Sequence, residues 1–257
     1  MSEGQESHGN IQEPDHIESS GEYDRYRDNP ELLAETKLKT SRLFSFDWAN
    51  GFVSPFRPTP RDILSNMLQH VHFSTPGKDT LLDLGCGDAV VLIQALETFP
   101  SSQLVRAIGV DLDKPLLETA KEGILQERKA SATTNDEHDS ILSRLELYHG
   151  DLTIKDESLT TILSPNELRG QCDRETTMRQ LIDECSHIFV YLLPEALSKL
   201  APLLLEAIEV TQKVVLSMRW EIPELAKYQV HGGVGQQYYV YDNKIPCVSL
   251  TEMEKNE

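Results

Sequence analysis

Three acids stand at or near the ends of three apolar runs: Asp83 in "LLDLGCGDAVVL", Asp111 in "AIGVDLD" and Asp151 in "YHGDL". Asp83 is followed by Gly85, Gly87 and Ala89, a spacing that suits a tight turn between a strand and a helix. Glycine there permits dihedrals that a side chain would forbid and lets a ligand approach the main chain. Two familiar glycine-rich turns are excluded. A dinucleotide fingerprint needs glycine where Val90 stands, and a phosphate-binding loop needs G-K-[ST] after four spacer residues, which is absent. Asp83 also argues against a pyrophosphate, because it adds negative charge where a helix N-terminus should hold an anion. A carboxylate in this place suits a ligand that carries a cation.

The other two acids extend the same site. Asp111 ends the second run, where a carboxylate can accept hydrogen bonds from both hydroxyls of a ribose. Asp151 follows the third, within reach of an adenine amine. Each acid alone reads equally well as a solvated loop acid or a helix cap. Together they favour a nucleoside with a cationic arm, and S-adenosylmethionine, with its ammonium and sulfonium groups, has that chemistry. No metal is expected: Cys86, Cys172, Cys185 and Cys247 lie far apart, with neither a C-x-x-C pair nor a zinc-spaced cluster.

These residues need strands to carry them and helices to cover the strands. In "PFRPTP" the prolines set an extended lead-in, Thr59 is placed to cap a helix with Pro60 at its first position, and Ile63, Met67 and Val71 recur at helical spacing. "TLLDL" reads as a first strand, Val90 to Thr98 as a helix, "LVRAIGVDLD" as a second strand, and Lys114 to about Arg128 as a second helix of the alternation. "LELYHGDL", "SHIFVYLL" and "KVVLSMRW" supply three more strands, and "PEALSKLAPLLLEAI" another helix. "YQVHGGVGQQYYVYD" reads as two strands joined by a glycine-rich hairpin turn. The expectation is a doubly wound α/β fold, Rossmann-like, with a mostly parallel seven-stranded sheet and a C-terminal antiparallel hairpin. Residues 124–144 and 153–184 read as insertions, the second containing the helix "ETTMRQLIDEC".

Composition places the site in one domain. The 257 residues carry a net charge of −18, and Met1 to Glu35 holds ten acids against Arg25 and Arg27. That segment is expected to be a disordered acidic tail over 1–35, followed by a catalytic domain over 36–245 and a short tail over 246–257. The acidity opposes nonspecific attraction to a phosphate backbone, so no nucleic-acid partner is expected. No stretch has the apolar length of a membrane span, and residues 1–30 have no signal or transit pattern, which predicts a soluble cytoplasmic protein.

The order of motifs resembles the class I, seven-stranded, S-adenosylmethionine-dependent methyltransferases over roughly residues 55–242. "PFRPTPRDILSNML", "LLDLGCGDAVVL", "VYLLPEALSKLAPLL" and "VVLSMRWEIPE" resemble, more narrowly, the lysine N-methyltransferases of the ATP synthase c subunit and the adenine nucleotide translocase. The resemblance implies that Asp83, Gly85 and Gly87 hold the methionine part of the cofactor, Asp111 the ribose and Asp151 the adenine. It also implies that Tyr191 to Pro194 line the methyl-transfer site. Tyr191 then stands as a cofactor-side and catalytic candidate or as core with its hydroxyl at the rim. Glu195 is a candidate proton acceptor or simply an acid favoured at a helix start. Trp220 is either a wall for a lysine channel or packing. His149 and His187 read as structural. "YLLP" stands where the [DN]-P-P-[YFW] motif of amide and base methyltransferases would be. The expected function is methyl transfer to a protein lysine. Two alternatives stay open: a small-molecule or RNA methyltransferase, and a non-catalytic binding module of the same fold.

Overall fold

The computed structural model describes residues 57–73, 77–130, 141–171 and 175–243. The expectations for the 1–35 and 246–257 tails, for "SATTNDEHDS" and for Cys172 and Cys247 lie outside these residues. The elements in chain order are α1 (Arg61–Leu68), β1 (Asp79–Leu84), α2 (Val90–Thr98), β2 (Leu104–Asp111), α3 (Lys114–Ala130), β3 (Leu145–His149), β4 (Thr160–Leu163), α4 (Pro165–Leu168), α5 (Met178–Glu184), β5 (His187–Val190), α6 (Pro194–Glu209), β6 (Val214–Met218), β7 (Gln229–Gly233) and β8 (Tyr238–Tyr241). Short 3₁₀ turns cover Pro223–Tyr228 and Val234–Gln236.

The strands form one eight-stranded mixed sheet in the order β4-β3-β2-β1-β5-β6-β8-β7. The five from β3 to β6 run parallel, while β4 joins β3, and β8 joins β6 and β7, in antiparallel pairs. The expected closing hairpin is present. The eighth strand is β4, inside the stretch read as an insertion. Four residues with an exposed Thr160 carry too little apolar pattern to announce a strand, and its place at a sheet edge needs no more.

All six residues of β1 are buried, as a parallel strand covered on both faces requires. Leu82, Leu84, Ile188 and Val190 pack with Leu181 of α5 and Leu197 and Leu204 of α6. Leu81, Phe189 and Leu216 pack on the opposite face with Leu64 and Met67 of α1 and Leu92 and Ala95 of α2. The chain leaves β1 toward β2 on one side, and β5 returns to its other side. The strand order therefore reverses between β1 and β5, and in open α/β sheets ligands bind at the carboxyl ends of the strands flanking such a reversal.

Two helix starts differ from the sequence expectation. Pro60 is the N-cap of α1 rather than its first residue, with extended dihedrals (φ −62°, ψ 118°), and no side chain caps the helix, so Thr59 does not serve. Proline holds φ near −62° in either conformation, and here ψ keeps it outside the helix. α5 begins with a reciprocal capping box between Thr177 and Gln180. Arg144, just before β3, is buried and donates to the carbonyls of Leu96, Phe99 and Leu104 at 3.0, 3.2 and 2.9 Å, tying the end of α2 to the start of β2.

Candidate functional site

The turn after β1 is tied to the end of β2 by main-chain hydrogen bonds. Gly85 N–H and Cys86 N–H both donate to the Val110 carbonyl, at 2.8 and 3.2 Å. Gly87 N–H donates to Asp111 Oδ2 at 2.8 Å, while Asp111 Oδ1 accepts from Asp113 N–H at 2.8 Å. Gly85, Gly87 and Ala89 all have positive φ, at 89°, 53° and 63°. Glycine relieves that conformation at the first two, and Ala89 bears it as the N-cap of α2. Asp88 supplies what Ala89 lacks by accepting from Val90 N–H at 3.2 Å.

Gly85 answers to a second demand. A Cβ at this position would stand 2.8 Å from Leu192 Cδ2, so the space beside its Cα is taken by a side chain from the loop after β5. Leu192 lies in the segment Tyr191 to Pro194 that the resemblance assigns to the methyl-transfer site, and what the sequence does not show is its contact with Gly85, 107 positions earlier.

Asp83 is the least compensated group in the turn. It is 1 % exposed, and its Oδ1 has no hydrogen-bond partner among the described residues. Burial first, and then the neighbouring Asp111 and Asp88 charges, push its carboxyl well above the ordinary carboxylate range. Asp111 is also raised by burial, but the amides of Asp113 and Gly87 pull it back. The Cys86 thiol is raised too, by burial and then by Asp111 and Asp83, which keeps it protonated and unreactive. A buried carboxylate oxygen without a donor, in a turn that brings acids together, is an arrangement that a ligand cation would complete.

Asp83, Gly85, Gly87 and Asp111 are thus brought together. Asp151 reaches the same end of the sheet by backbone: Gly150 N–H donates to the Asp111 carbonyl at 3.0 Å. Its side chain makes a local turn, with Oδ1 accepting from the Thr153 amide at 2.8 Å and the Thr153 hydroxyl at 2.7 Å. Its other oxygen has no such role there. Tyr191 directly follows β5 and is half-buried against the cluster on the α1 and α2 face. Glu195 is exposed in the first turn of α6, which starts with Pro194.

Two other residues are placed by their contacts. Trp220 has the Arg219 guanidinium 5.4 Å from its ring centroid, so a cation of the chain itself already lies over the indole. A lysine-channel role for Trp220 would need its other face. His187 is buried, and its Nδ1 lies 2.8 Å from the Ser186 hydroxyl, which makes it part of the β5 framework.

No family model matches the chain. Over 110 residues it is 27 % identical to a protein-lysine N-methyltransferase of Saccharolobus islandicus (strain REY15A), covering 43 % of this chain and 58 % of that protein. The match therefore spans less than two thirds of that relative's length. Among solved structures, the rRNA methyltransferase aviRa from Streptomyces viridochromogenes is similar with a TM-score of 0.45 at 12 % identity, over 79 % of this chain and 92 % of that one. The methyltransferase domain of bacterial CtHen1 is similar with a TM-score of 0.36 at 17 % identity, over 60 % of this chain and 63 % of that one.

Proposed function

We propose that the chain is an S-adenosylmethionine-dependent methyltransferase that acts on a lysine amine of a protein. The observation that carries the reading is Asp83: a buried carboxylate with an unpartnered oxygen, beside a glycine turn at the point where strand order reverses. A nucleotide phosphate would be repelled there, and a ligand ammonium would be held. When bound, S-adenosylmethionine supplies a methyl group activated by its sulfonium.

The chain's own residues divide the remaining work. Asp83 accepts from the ligand ammonium. Asp111, with each oxygen already fixed by one amide, keeps lone pairs for the ribose hydroxyls, and Asp151 offers its second oxygen to the adenine amine. Gly85 and Gly87 bring the main chain close, while Leu192 closes the turn from the β5 side. Methyl transfer needs in-line alignment more than acid–base chemistry, so Tyr191 acts chiefly by orienting and by excluding water. A lysine amine must lose its proton before it attacks, and in this reading Glu195, an exposed acid in the first turn of α6, accepts it.

Protein-lysine specificity is supported by the name of the partial relative and by the acidic balance, which favours a basic partner. The ten acids and two arginines before residue 36 leave −10 of the total −18 on the rest of the chain. The test is to incubate the purified protein with methyl-labelled cofactor and a cell extract and to locate the label by mass spectrometry. Label on lysine side chains is expected. Label confined to RNA, metabolites or other side chains would assign a different methyltransferase, and cofactor binding without any transfer would leave a binding module.

A further inference from the structure

We infer that Asp83 carries a proton in the empty site and releases it when the ligand ammonium binds, so that cofactor capture is linked to proton release. The inference rests on the cofactor reading above and goes on to say in which charge state the site waits.

The geometry distinguishes Asp83 from its neighbour. Both oxygens of Asp111 accept from backbone amides, at 2.8 Å each, which favours its ionised form. Asp83 Oδ1 accepts from no group among the described residues, and only 1 % of the residue is exposed. Two interacting carboxyls share ionisation unequally, and the more deeply buried one, with an oxygen that lacks a donor, keeps the proton. Among the described residues, the charges that act on it are those of acids. Asp111 lies at the end of β2, Asp88 and the protonated Cys86 lie in the turn, and the register partner on β5 is the apolar Phe189. Burial acts in the same direction as this arrangement.

A bound ammonium changes the balance. Its charge compensates the carboxylate, and its N–H groups supply the donor that Oδ1 lacks. The Asp83 O–H bond breaks, its electron pair stays on the carboxylate, the proton passes to solvent, and the ligand ammonium keeps its own protons. Below the pKa of the empty site the apparent affinity must then fall about tenfold for each unit of pH, and above that pKa it must become flat.

The experiment is calorimetry with S-adenosylhomocysteine, which keeps the ammonium, in buffers of different ionisation enthalpy between about pH 5 and about pH 7, where the ligand amine stays charged. The full chain is expected to release up to one proton per ligand bound, and Asp83→Asn to release none while binding more weakly and without a pH slope. Methylthioadenosine, which has no ammonium, provides the second arm: it is expected to bind the unaltered chain without releasing a proton, so the inference can be tested even if Asp83→Asn does not fold. Binding of S-adenosylhomocysteine without proton release across that range would overturn the inference and leave the cofactor reading intact. Equal release with methylthioadenosine would overturn it as well. Failure of both nucleosides to bind would overturn the cofactor reading itself, and this inference with it.

Discussion

Folding places Asp83 where an ionised carboxylate destabilises the protein, since its burial and two nearby acids all favour the neutral form. Its folded pKa lies above its unfolded value of about 3.9. The stability that goes with its protonated form is therefore complete below the unfolded value and is lost as pH rises through the folded one. Asp83→Asn is expected to melt higher than the parent at neutral pH, by about 2–4 °C for each kcal/mol regained, with the difference shrinking toward pH 4. Thermal unfolding followed by circular dichroism across that range checks it, and a constant difference would assign the effect to packing. Gly85→Ala is expected to behave in the opposite way. The new Cβ meets Leu192 and the backbone stays at φ 89°, so a loss of about 1–3 kcal/mol follows. Leu192→Ala removes the collision but not the dihedral and has its own cost as a buried leucine, so denaturant titration of a double-mutant cycle should show the double variant losing less than the two single losses added together. The residue types of the turn, Asp83, Gly85 and Gly87, were legible from their spacing. The packing of Leu192 against Gly85 was not, because the two residues are 107 positions apart in the chain and meet only through the sheet. The missing donor at Asp83 was not either, because only the packing decides it.

At the scale of elements, the strand ends stay in register because buried groups hold the loops at the opposite edge as well. Arg144 is the clearest of these: its guanidinium donates to three carbonyls, those of Leu96, Phe99 and Leu104. Arg144→Met is expected to lower stability by about 2–4 kcal/mol, and Arg144→Lys to recover only part, since an ammonium cannot reproduce the planar fork. Chemical denaturation of both variants tests the order parent, lysine, methionine. Elements with a strong apolar run, such as β1, and a clear interruption, such as Gly85 to Asp88 before α2, were legible in the sequence. β4 was hidden in a polar stretch because an edge strand of four residues needs little apolar pattern. The start of α1 was misplaced because proline's fixed φ suits both the helix and the extended segment before it.

For the molecule as a whole, the sheet's reversal between β1 and β5 puts the turn with Asp83 opposite the loop that carries Tyr191 and Leu192. A donor pocket and a transfer site can thus share one crevice. The overall charge of −18 favours approach of a basic substrate from a distance, and added salt screens it. Methylation of a lysine-rich protein should therefore slow several-fold between about 0.05 and about 0.3 M salt through a rise in KM, with kcat unchanged. A salt-independent KM would remove long-range attraction from the account. If the turn after β1 is the methyl-donor site, a crystal structure with S-adenosylhomocysteine should show the ligand amine on Asp83 and the ribose hydroxyls on Asp111; a nucleoside bound elsewhere on the chain, with no ligand atom on Asp83, would rule that assignment out.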